Sequence, residues 1–314
     1  MAEFDLIERI RVRAARRGDV PLGIGDDAAL VAPPPGIQLA IATDTLNVGV
    51  HFPPETAAFD IGWKALAVNL SDLAAMGAEP AWASLSLSLP ESDVAWLDAF
   101  LDGFGELAAR HGVALIGGDT TRGPLSVCVN VVGFVAPGRA MRRDAARVGD
   151  EVWVSGTLGD AAAALSLWRA GRDVPPALRE RLDRPVPRIA LGHALAGIAH
   201  AGIDVSDGVL ADLGHVAAAS GVRIEVETGA LPASSALAAF DVDTRRHWQA
   251  TGGDDYELCF SAPPEARGRV EALAARMGVR VSRIGRVGAG AGVRAFAGGE
   301  PWVPARTGYA HFSG

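Results

Sequence analysis

The stretch Trp63-Lys64-Ala65-Leu66-Ala67-Val68-Asn69-Leu70-Ser71-Asp72-Leu73-Ala74-Ala75-Met76-Gly77-Ala78-Glu79-Pro80-Ala81-Trp82-Ala83-Ser84-Leu85-Ser86-Leu87-Ser88-Leu89 changes its hydrophobic period once, and that change decides the fold class. With Phe59 just upstream, the apolar residues Phe59, Trp63, Leu66, Leu70 and Leu73 recur at spacings of four and three, which predicts a helix ending at Gly77 before Pro80. Asn69 and Asp72 lie off that stripe and three residues apart, so they share another helical face. From Ala83 to Leu89 leucines alternate with serines, the period-two pattern of a half-buried strand. The serine face is suited either to solvent or to a subunit contact.

Working outward, Leu39 to Thr43 reads as a short strand ending at Asp44. A helix is expected over residues 93–111 and a strand over 113–116 with Asp119 just beyond it. Another strand is expected over 125–135. Pro137-Gly138 and the basic residues Arg139, Arg142, Arg143 and Arg147 then mark a boundary, giving domains 1–138 and 139–314. The second domain reads as a strand at 151–154, a helix at 160–170, a Pro-rich crossing at 175–187 and a helix at 189–201. An acidic turn at 204–207, a helix at 210–220, a strand at 222–226, an acidic turn at Asp254, a helix near 265–277 and Gly-rich hairpin-like strands follow. Both halves mix helices and strands, so the class is α/β or α+β.

A chain of 314 residues exceeds what one core usually serves, which also argues for two domains. The formal charge of −8 argues against a general nucleic-acid or anionic-membrane surface. No apolar run is long enough for a transmembrane helix, so a cytoplasmic protein is expected. Cys128 and Cys259 read as reduced core thiols, with neither zinc spacing nor a disulfide framework. Residues 1–17 place Phe4, Ile7, Ile10 and Ala14 on one face of a surface helix, and Glu3, Asp5 and Glu8 speak against a transit peptide.

The chemistry resides in acids that follow apolar runs: Gly25-Asp26-Asp27, Thr43-Asp44-Thr45, Gly117-Gly118-Asp119, Asp204-Val205-Ser206-Asp207-Gly208 and Gly252-Gly253-Asp254-Asp255. Converging carboxylates repel and lose hydration, so a cation is expected among them, and hard oxygen donors favour Mg²⁺ carrying phosphates. Capping is the competing role, with Asp44 and Asp119 serving turns, Asp72 a solvated helix face, and Ser206 or Asp207 a helix N-cap. Lys64 is the only lysine, which excludes a Walker A loop. Gly23-Ile24-Gly25-Asp26-Asp27-Ala28 resembles a dinucleotide fingerprint only superficially, because its two acids would face a pyrophosphate and prolines follow instead of a helix. There is no Gly-x-Ser-x-Gly elbow. His51 and Arg143 stay open between surface and site roles.

Taken together, Gly23 to Ala28, Thr43-Asp44-Thr45, His51-Phe52, Lys64 to Ala78, Gly117-Gly118-Asp119-Thr120-Thr121, Asp204 to Gly208 and Gly253 to Leu258 resemble the thiamine-monophosphate kinase family, in order along nearly the whole chain. The resemblance implies the two-domain fold of the aminoimidazole ribonucleotide synthetase superfamily, its α/β N-terminal domain dimerising through the β-sheet, with an α+β C-terminal domain. It implies transfer of the γ-phosphoryl group from ATP to thiamine monophosphate with several Mg²⁺ ions. No catalytic side chain is implied, because the attacking phosphate oxygen is already ionised near neutral pH. Asp27, Thr43, Asp44, Asp72, Asp119, Asp204 and Asp207 are the implied metal-site residues. Gly118, Asp119, Arg143 and Ser206 are the implied ATP contacts, and His51, Asp254 and Tyr309 the implied acceptor contacts. Two positions depart from the family: Ala42 stands where many relatives have Ser, and Asp254 replaces the commoner Glu, so that Asp255 could share its role. Other ATP-using members of the superfamily and a metal-dependent phosphohydrolase are the alternatives. A functional C-terminal Cys, as in the hydrogenase-maturation relative, has no counterpart in His311-Phe312-Ser313-Gly314.

Overall fold

Asp44 and Asp119 stand inside strands, not beyond their ends as the sequence suggested, because in each case backbone pairing with a neighbour continues past the acid. The computed structural model describes residues 3–310; residues 1–2 and 311–314, and the side chains of Glu3, Phe4 and Asp5, on which part of the expected N-terminal helical face falls, lie outside the described part. Contacts divide the chain into one unit running to Leu73 and over Ala78–Gly138, and a second comprising Ala74–Gly77 and the chain from Arg139 onward.

The first unit contains α1 (Glu3–Arg13), β1 (Gln38–Asn47), α2 (Ala58–Ala75), β2 (Glu79–Leu89), α3 (Val94–His111), β3 (Ala114–Arg122) and β4 (Ser126–Val135). Its sheet has the order β1-β4-β2-β3: β4 is antiparallel to both β1 and β2, while β2 and β3 are parallel and joined by α3. On one face Val127, Val129 and Val131 of β4 and Leu85, Leu87 and Leu89 of β2 are buried. The helix α2 lies on that face, with its Asn69 bonded to Asp44 and its Leu73 beside Gly133. Along β1 the other face carries Leu39, Ile41, Thr43 and Thr45, all exposed, Ile41 by 64%. In α1 the buried stripe is Leu6 and Ile10, one position away from the expected Ile7.

Two helices cross here at van der Waals limits. A Cβ on Gly103 of α3 would lie 1.9 Å from the Phe59 carbonyl, and one on Gly62 of α2 would lie 2.0 Å from the Phe100 carbonyl. Only hydrogen fits at either position, so this glycine pair sets how closely α2 and α3 approach. Asp93 caps α3 by accepting from Ala95 N–H at 2.9 Å and Trp96 N–H at 3.1 Å.

The second unit contains β5 (Glu151–Ser155), α4 (Asp160–Arg169), α5 (Pro176–Asp183), α6 (Ile189–Leu195), β6 (Ala201–Asp204), α7 (Val209–Ser220) and β7 (Arg223–Glu227). It continues with α8 (Val242–Thr251), β8 (Leu258–Ala262), α9 (Arg267–Arg276), β9 (Val281–Gly288), β10 (Gly292–Ala297) and β11 (Glu300–Trp302). Seven strands form a sheet of order β11-β10-β7-β9-β5-β8-β6, whose core includes Val152, Val154, Ile203, Val205, Leu213, Ile224, Val226 and Cys259. Mixed α/β content in both units agrees with the expected class. Two expectations are corrected. The helix from Ile189 stops at Leu195, because residues 201–204 pair with β8. The Pro-rich crossing contains α5, started by Pro176 in the first turn, where its missing N–H costs nothing. Of the Gly-rich strands, β10 and β11 form the expected antiparallel hairpin, while β7 separates β10 from β9.

The crossing predicts opposite outcomes for two glycines of one helix. Gly103→Ala should destabilise the protein by about 1–3 kcal/mol or more. Gly105→Ala, where an added Cβ meets nothing within 4 Å, should stabilise it by about 0.5–1 kcal/mol. Equal thermal midpoints for the two variants would contradict the account.

Candidate active site

In the first unit the site is built from α2 and its facing strand. Asn69 is fully buried; its Nδ2 donates to the Ala65 carbonyl at 2.9 Å, which leaves Oδ1 to accept the Asp44 N–H at 2.9 Å. Asp72 follows one turn later. Thr43 lies on the opposite face of β1, where its Oγ1 accepts from Asn130 Nδ2 at 2.7 Å, and the same Nδ2 donates to the Ala42 carbonyl at 3.1 Å. Asn130 was not singled out from the sequence and Asn69 was noted only as sharing a helical face with Asp72, although each amide fixes a predicted site residue.

His51 is set by its own turn. Its Nδ1 accepts the Asn47 N–H at 3.0 Å, so in the neutral ring the proton sits on Nε2. Lys64, 1% exposed, donates to the His51 carbonyl at 3.0 Å. The chain's only lysine is therefore an anchor of this loop. Asp27 is exposed in the loop before β1, where its N–H donates to Asp26 Oδ1 at 2.8 Å.

The strand register separates the remaining acid of this unit. Thr45, Cys128, Ser86 and Asp119 form one row across the sheet, and Asp44, Val129, Leu85 and Gly118 the adjacent row. Asp44 and Asp119 thus occupy opposite edge strands, three interstrand spacings or roughly 14 Å apart. Beside Asp119, together with Thr120, Thr121 and Arg122, opens a cavity of about 710 Å³, also lined by Leu6, Leu89, Glu91 and Ser92. Among the described residues no three His, Cys, Asp or Glu side chains form a group that could hold a metal ion by themselves.

In the second unit, segments far apart in sequence are joined by backbone hydrogen bonds. Val205 N–H donates to the Glu257 carbonyl at 2.9 Å, Tyr256 N–H to that of Val205 at 2.8 Å, and Asp254 N–H to that of Ser206 at 2.9 Å. Tyr309 N–H donates to the Asp207 carbonyl at 2.9 Å. The structure therefore brings together Asp204, Ser206, Asp207, Asp254 and Tyr309. Gly253 permits the approach, since a Cβ there would lie 2.3 Å from the Ser206 carbonyl. Asp254 (φ 68°) and Tyr256 (φ 49°) are the only non-glycine residues with left-handed backbone among the described residues. Each such conformation costs roughly 1 kcal/mol or more and persists only where its surroundings enforce it.

Asp254 and Asp255 have separate roles here. The half-exposed Asp254 is approached by the Tyr256 hydroxyl at 3.3 Å, whereas Asp255 is buried with both oxygens accepting from Gly159 N–H, at 3.0 and 2.9 Å, ahead of α4. Burial raises the Asp255 carboxyl well above the ordinary carboxylate range.

Asp212 was not anticipated. It lies buried in the first turn of α7, and its Oδ2 accepts from Gly208 N–H at 3.0 Å and Asp207 N–H at 3.3 Å. The N-cap of α7 is Gly208, with no side-chain cap, so neither Ser206 nor Asp207 serves as the expected cap. Burial first, then the charges of Asp204 and Asp207, push the Asp212 carboxyl up to about 8. Its position one helical turn beyond the Asp207-Gly208 peptide was the available sequence signal.

At the other end of α7, Ser220 donates to the Arg143 carbonyl at 2.7 Å and accepts from Ala146 N–H at 3.0 Å. Arg142 is engaged by Asp144, and Arg139 by the Ala196 carbonyl. The exposed Arg143 and the Ser206-Asp207 turn are held at opposite ends of a twelve-residue helix, about 18 Å long.

Because the fold favours protonated Asp255, its contribution to stability is complete below the unfolded carboxylate pKa and is lost as pH rises through the higher folded value. Asp255→Asn keeps an acceptor for Gly159 and removes the ionisation. The thermal midpoint of the wild type should therefore fall relative to the variant above roughly pH 4, with the difference vanishing in acid. Parallel midpoint curves would refute this.

Comparisons with known proteins identify the family of the chain. Residues 25–135 match the AIR synthase related protein N-terminal domain, and residues 147–298 the corresponding C-terminal domain. The thiamine-monophosphate kinase of Escherichia coli strain K12 is 45% identical over 320 residues, covering 99% of this chain and 98% of the relative. A crystal structure of thiamine-monophosphate kinase from Stenotrophomonas maltophilia K279a is 54% identical, with a TM-score of 0.89 and coverage of 96% of this chain and 98% of the other. A structure described as AaThiL complexed with AMPPCP and TMP is 34% identical, with a TM-score of 0.78 and coverage of 99% and 97%. The hydrogenase maturation protein HypE, 22% identical with a TM-score of 0.79, shares the fold alone. By these matches, which agree with the resemblance of its motifs, the chain belongs to the thiamine-monophosphate kinase family.

Proposed function

We propose that the protein transfers the γ-phosphoryl group of ATP directly to thiamine monophosphate, giving thiamine diphosphate and ADP. The observation that carries this reading is the backbone ladder joining Ser206 and Asp207 to Asp254 and Tyr309. It places segments implied to serve ATP beside segments implied to serve the acceptor. The acceptor's phosphate oxygen is already an anion near neutral pH, so the protein needs no strong general base and instead brings two polyanions together.

The donors offered by Asp27, Thr43, Asp44, Asp72, Asp119, Asp204 and Asp207 are the hard oxygens that Mg²⁺ takes. Mg²⁺ is usually held by one or two carboxylates plus substrate phosphates, a mode that needs no closed protein cage. The mutual repulsion of Asp204, Asp207 and Asp212 supports a cation in that turn. When bound, Mg²⁺ would supply neutralisation and alignment of the triphosphate. Gly118, Asp119, Arg143 and Ser206 would contact ATP, with the length of α7 assigning Arg143 and Ser206 to different ends of the nucleotide. His51 would offer its Nε2 proton to the acceptor. Asp254, and not the buried Asp255, would face the cationic thiamine moiety, with Tyr309 at its side.

Asp44 and Asp119 are too far apart to serve one metal within a copy. A homodimer formed through the first unit's sheet, where Leu39 and Ile41 are exposed, would bring the β1 edge of one copy, which carries Asp44, to Asp119 on the β3 edge of the partner subunit. Residues 1–138 would then provide dimerisation and much of the ATP and Mg²⁺ site. We place the enzyme in the cytoplasm, where its co-substrate is made.

Purified protein incubated with Mg²⁺, ATP and thiamine monophosphate should yield thiamine diphosphate and ADP in equal amounts. Asp119→Asn should lower kcat/KM by about 100-fold or more with little change in thermal midpoint. Release of free phosphate without thiamine diphosphate would reject the kinase reading in favour of hydrolysis.

A further inference from the structure

Glu257 is fully buried, and four hydrogen bonds converge on its carboxylate. Arg188 donates through Nε to Oε2 at 2.6 Å and through Nη2 to Oε1 at 2.5 Å. Arg181 Nη2 donates to Oε1 at 2.8 Å, and Ser155 Oγ to Oε2 at 2.6 Å. Both arginines come from the Pro-rich crossing, Arg181 on α5 and Arg188 just before α6. The same groups grip the neighbouring backbone: Arg181 Nη2 reaches the Asp255 carbonyl at 3.3 Å, and Ser155 Oγ accepts the Leu258 N–H at 2.8 Å. Residues 255–258 are thereby fixed from both sides. Directly before and within them stand the two left-handed residues Asp254 and Tyr256.

A buried carboxylate with two guanidiniums is a poor source of net stability, because desolvation offsets most of the attraction and apolar side chains would serve a core as well. Its expense is better explained by shape. The turn it grips is one that the residues' own backbone preferences oppose, and that turn carries Asp254. We propose that Glu257 is a positioning residue, which with Arg181 and Arg188 holds the left-handed turn at Asp254 and Tyr256 in the form that meets the acceptor substrate. The inference rests on the proposed role of Asp254 at thiamine monophosphate. Because Asp254 and Tyr256 donate to the Ser206 and Val205 carbonyls, the clasp also fixes the distance between the acceptor side and the Ser206-Asp207 turn.

Glu151 provides an internal control. It is likewise buried and paired with two arginines, Arg267 and Arg283, whose hydrogen bonds among the described residues go to Glu151 and not to the turn. Glu257→Gln should raise KM for thiamine monophosphate by about tenfold or more, leaving KM for ATP within about twofold. Glu151→Gln should lower the thermal midpoint without splitting the two KM values. Arg188→Lys, which keeps the charge and loses the bidentate geometry, should show the same split to a smaller degree and supplies the test if Glu257→Gln does not fold. Hydrogen exchange of the Asp254 and Tyr256 amides should accelerate in Glu257→Gln and Arg188→Lys but not in Glu151→Gln. Equal changes in both KM values, or unchanged exchange at those amides, would overturn the proposal. If the wild type makes no thiamine diphosphate, the catalytic reading fails separately, and the exchange data still decide whether the clasp holds the turn.

Discussion

Like-charged carboxylates cannot share a dry site without a counter-cation or a proton, and this constraint shapes the whole arrangement. Where acids come close, the cost is visible: burial and the charges of Asp204 and Asp207 raise the Asp212 carboxyl to about 8. Elsewhere the fold keeps them apart, with Asp44 and Asp119 on the two edge strands of one four-stranded sheet. Hard-oxygen donors that stay separated in the free chain are suited to metals that arrive with the nucleotide. On the proposed reading, phosphate oxygens complete each coordination sphere, and binding energy from the co-substrate offsets repulsion that the protein alone does not relieve.

The supporting structure is largely uncharged backbone and amide. Asn69 and Asn130 orient β1 at the site, Asn47 sets the tautomer of His51, and a ladder of peptide bonds ties the Asp204–Asp207 turn to the Asp254 turn and to Tyr309. Such bonds position acids without neutralising them. Where charge is used for positioning, at Glu257, it is buried behind the turn.

Much of this was legible in the sequence for definite reasons. The period change between Phe59 and Leu89 identified α2 and β2, because each carries its largest apolar side chains at one regular spacing, although α2 proves buried on nearly every side. The acids at Asp44, Asp119 and Asp204–Asp207 stood out because glycine and hydroxyl residues surround them. Strand ends were misjudged at Asp44 and Asp119, since polar residues interrupt the apolar run there while backbone pairing continues. Prolines at 175, 176, 185 and 187 mask the short helix α5, so the meeting of Arg181 and Arg188 at Glu257 could not be placed. Asp212 was hidden for another reason: its partners are peptide groups, which leave no mark in composition or charge pattern. The pairing of β10 with β7 instead of β9 is a non-local choice that adjacent glycine-rich strands do not encode.

The central claim is that acids separated within one copy act together across two. The most direct measurement uses two inactive variants, Asp44→Asn and Asp119→Asn, purified separately, then unfolded together and refolded so that mixed dimers form. If Asp44 of one copy works with Asp119 of the partner subunit, each mixed dimer has one doubly altered and one intact site, and random pairing should restore about a quarter of wild-type activity. A mixture no more active than either variant alone would contradict the account.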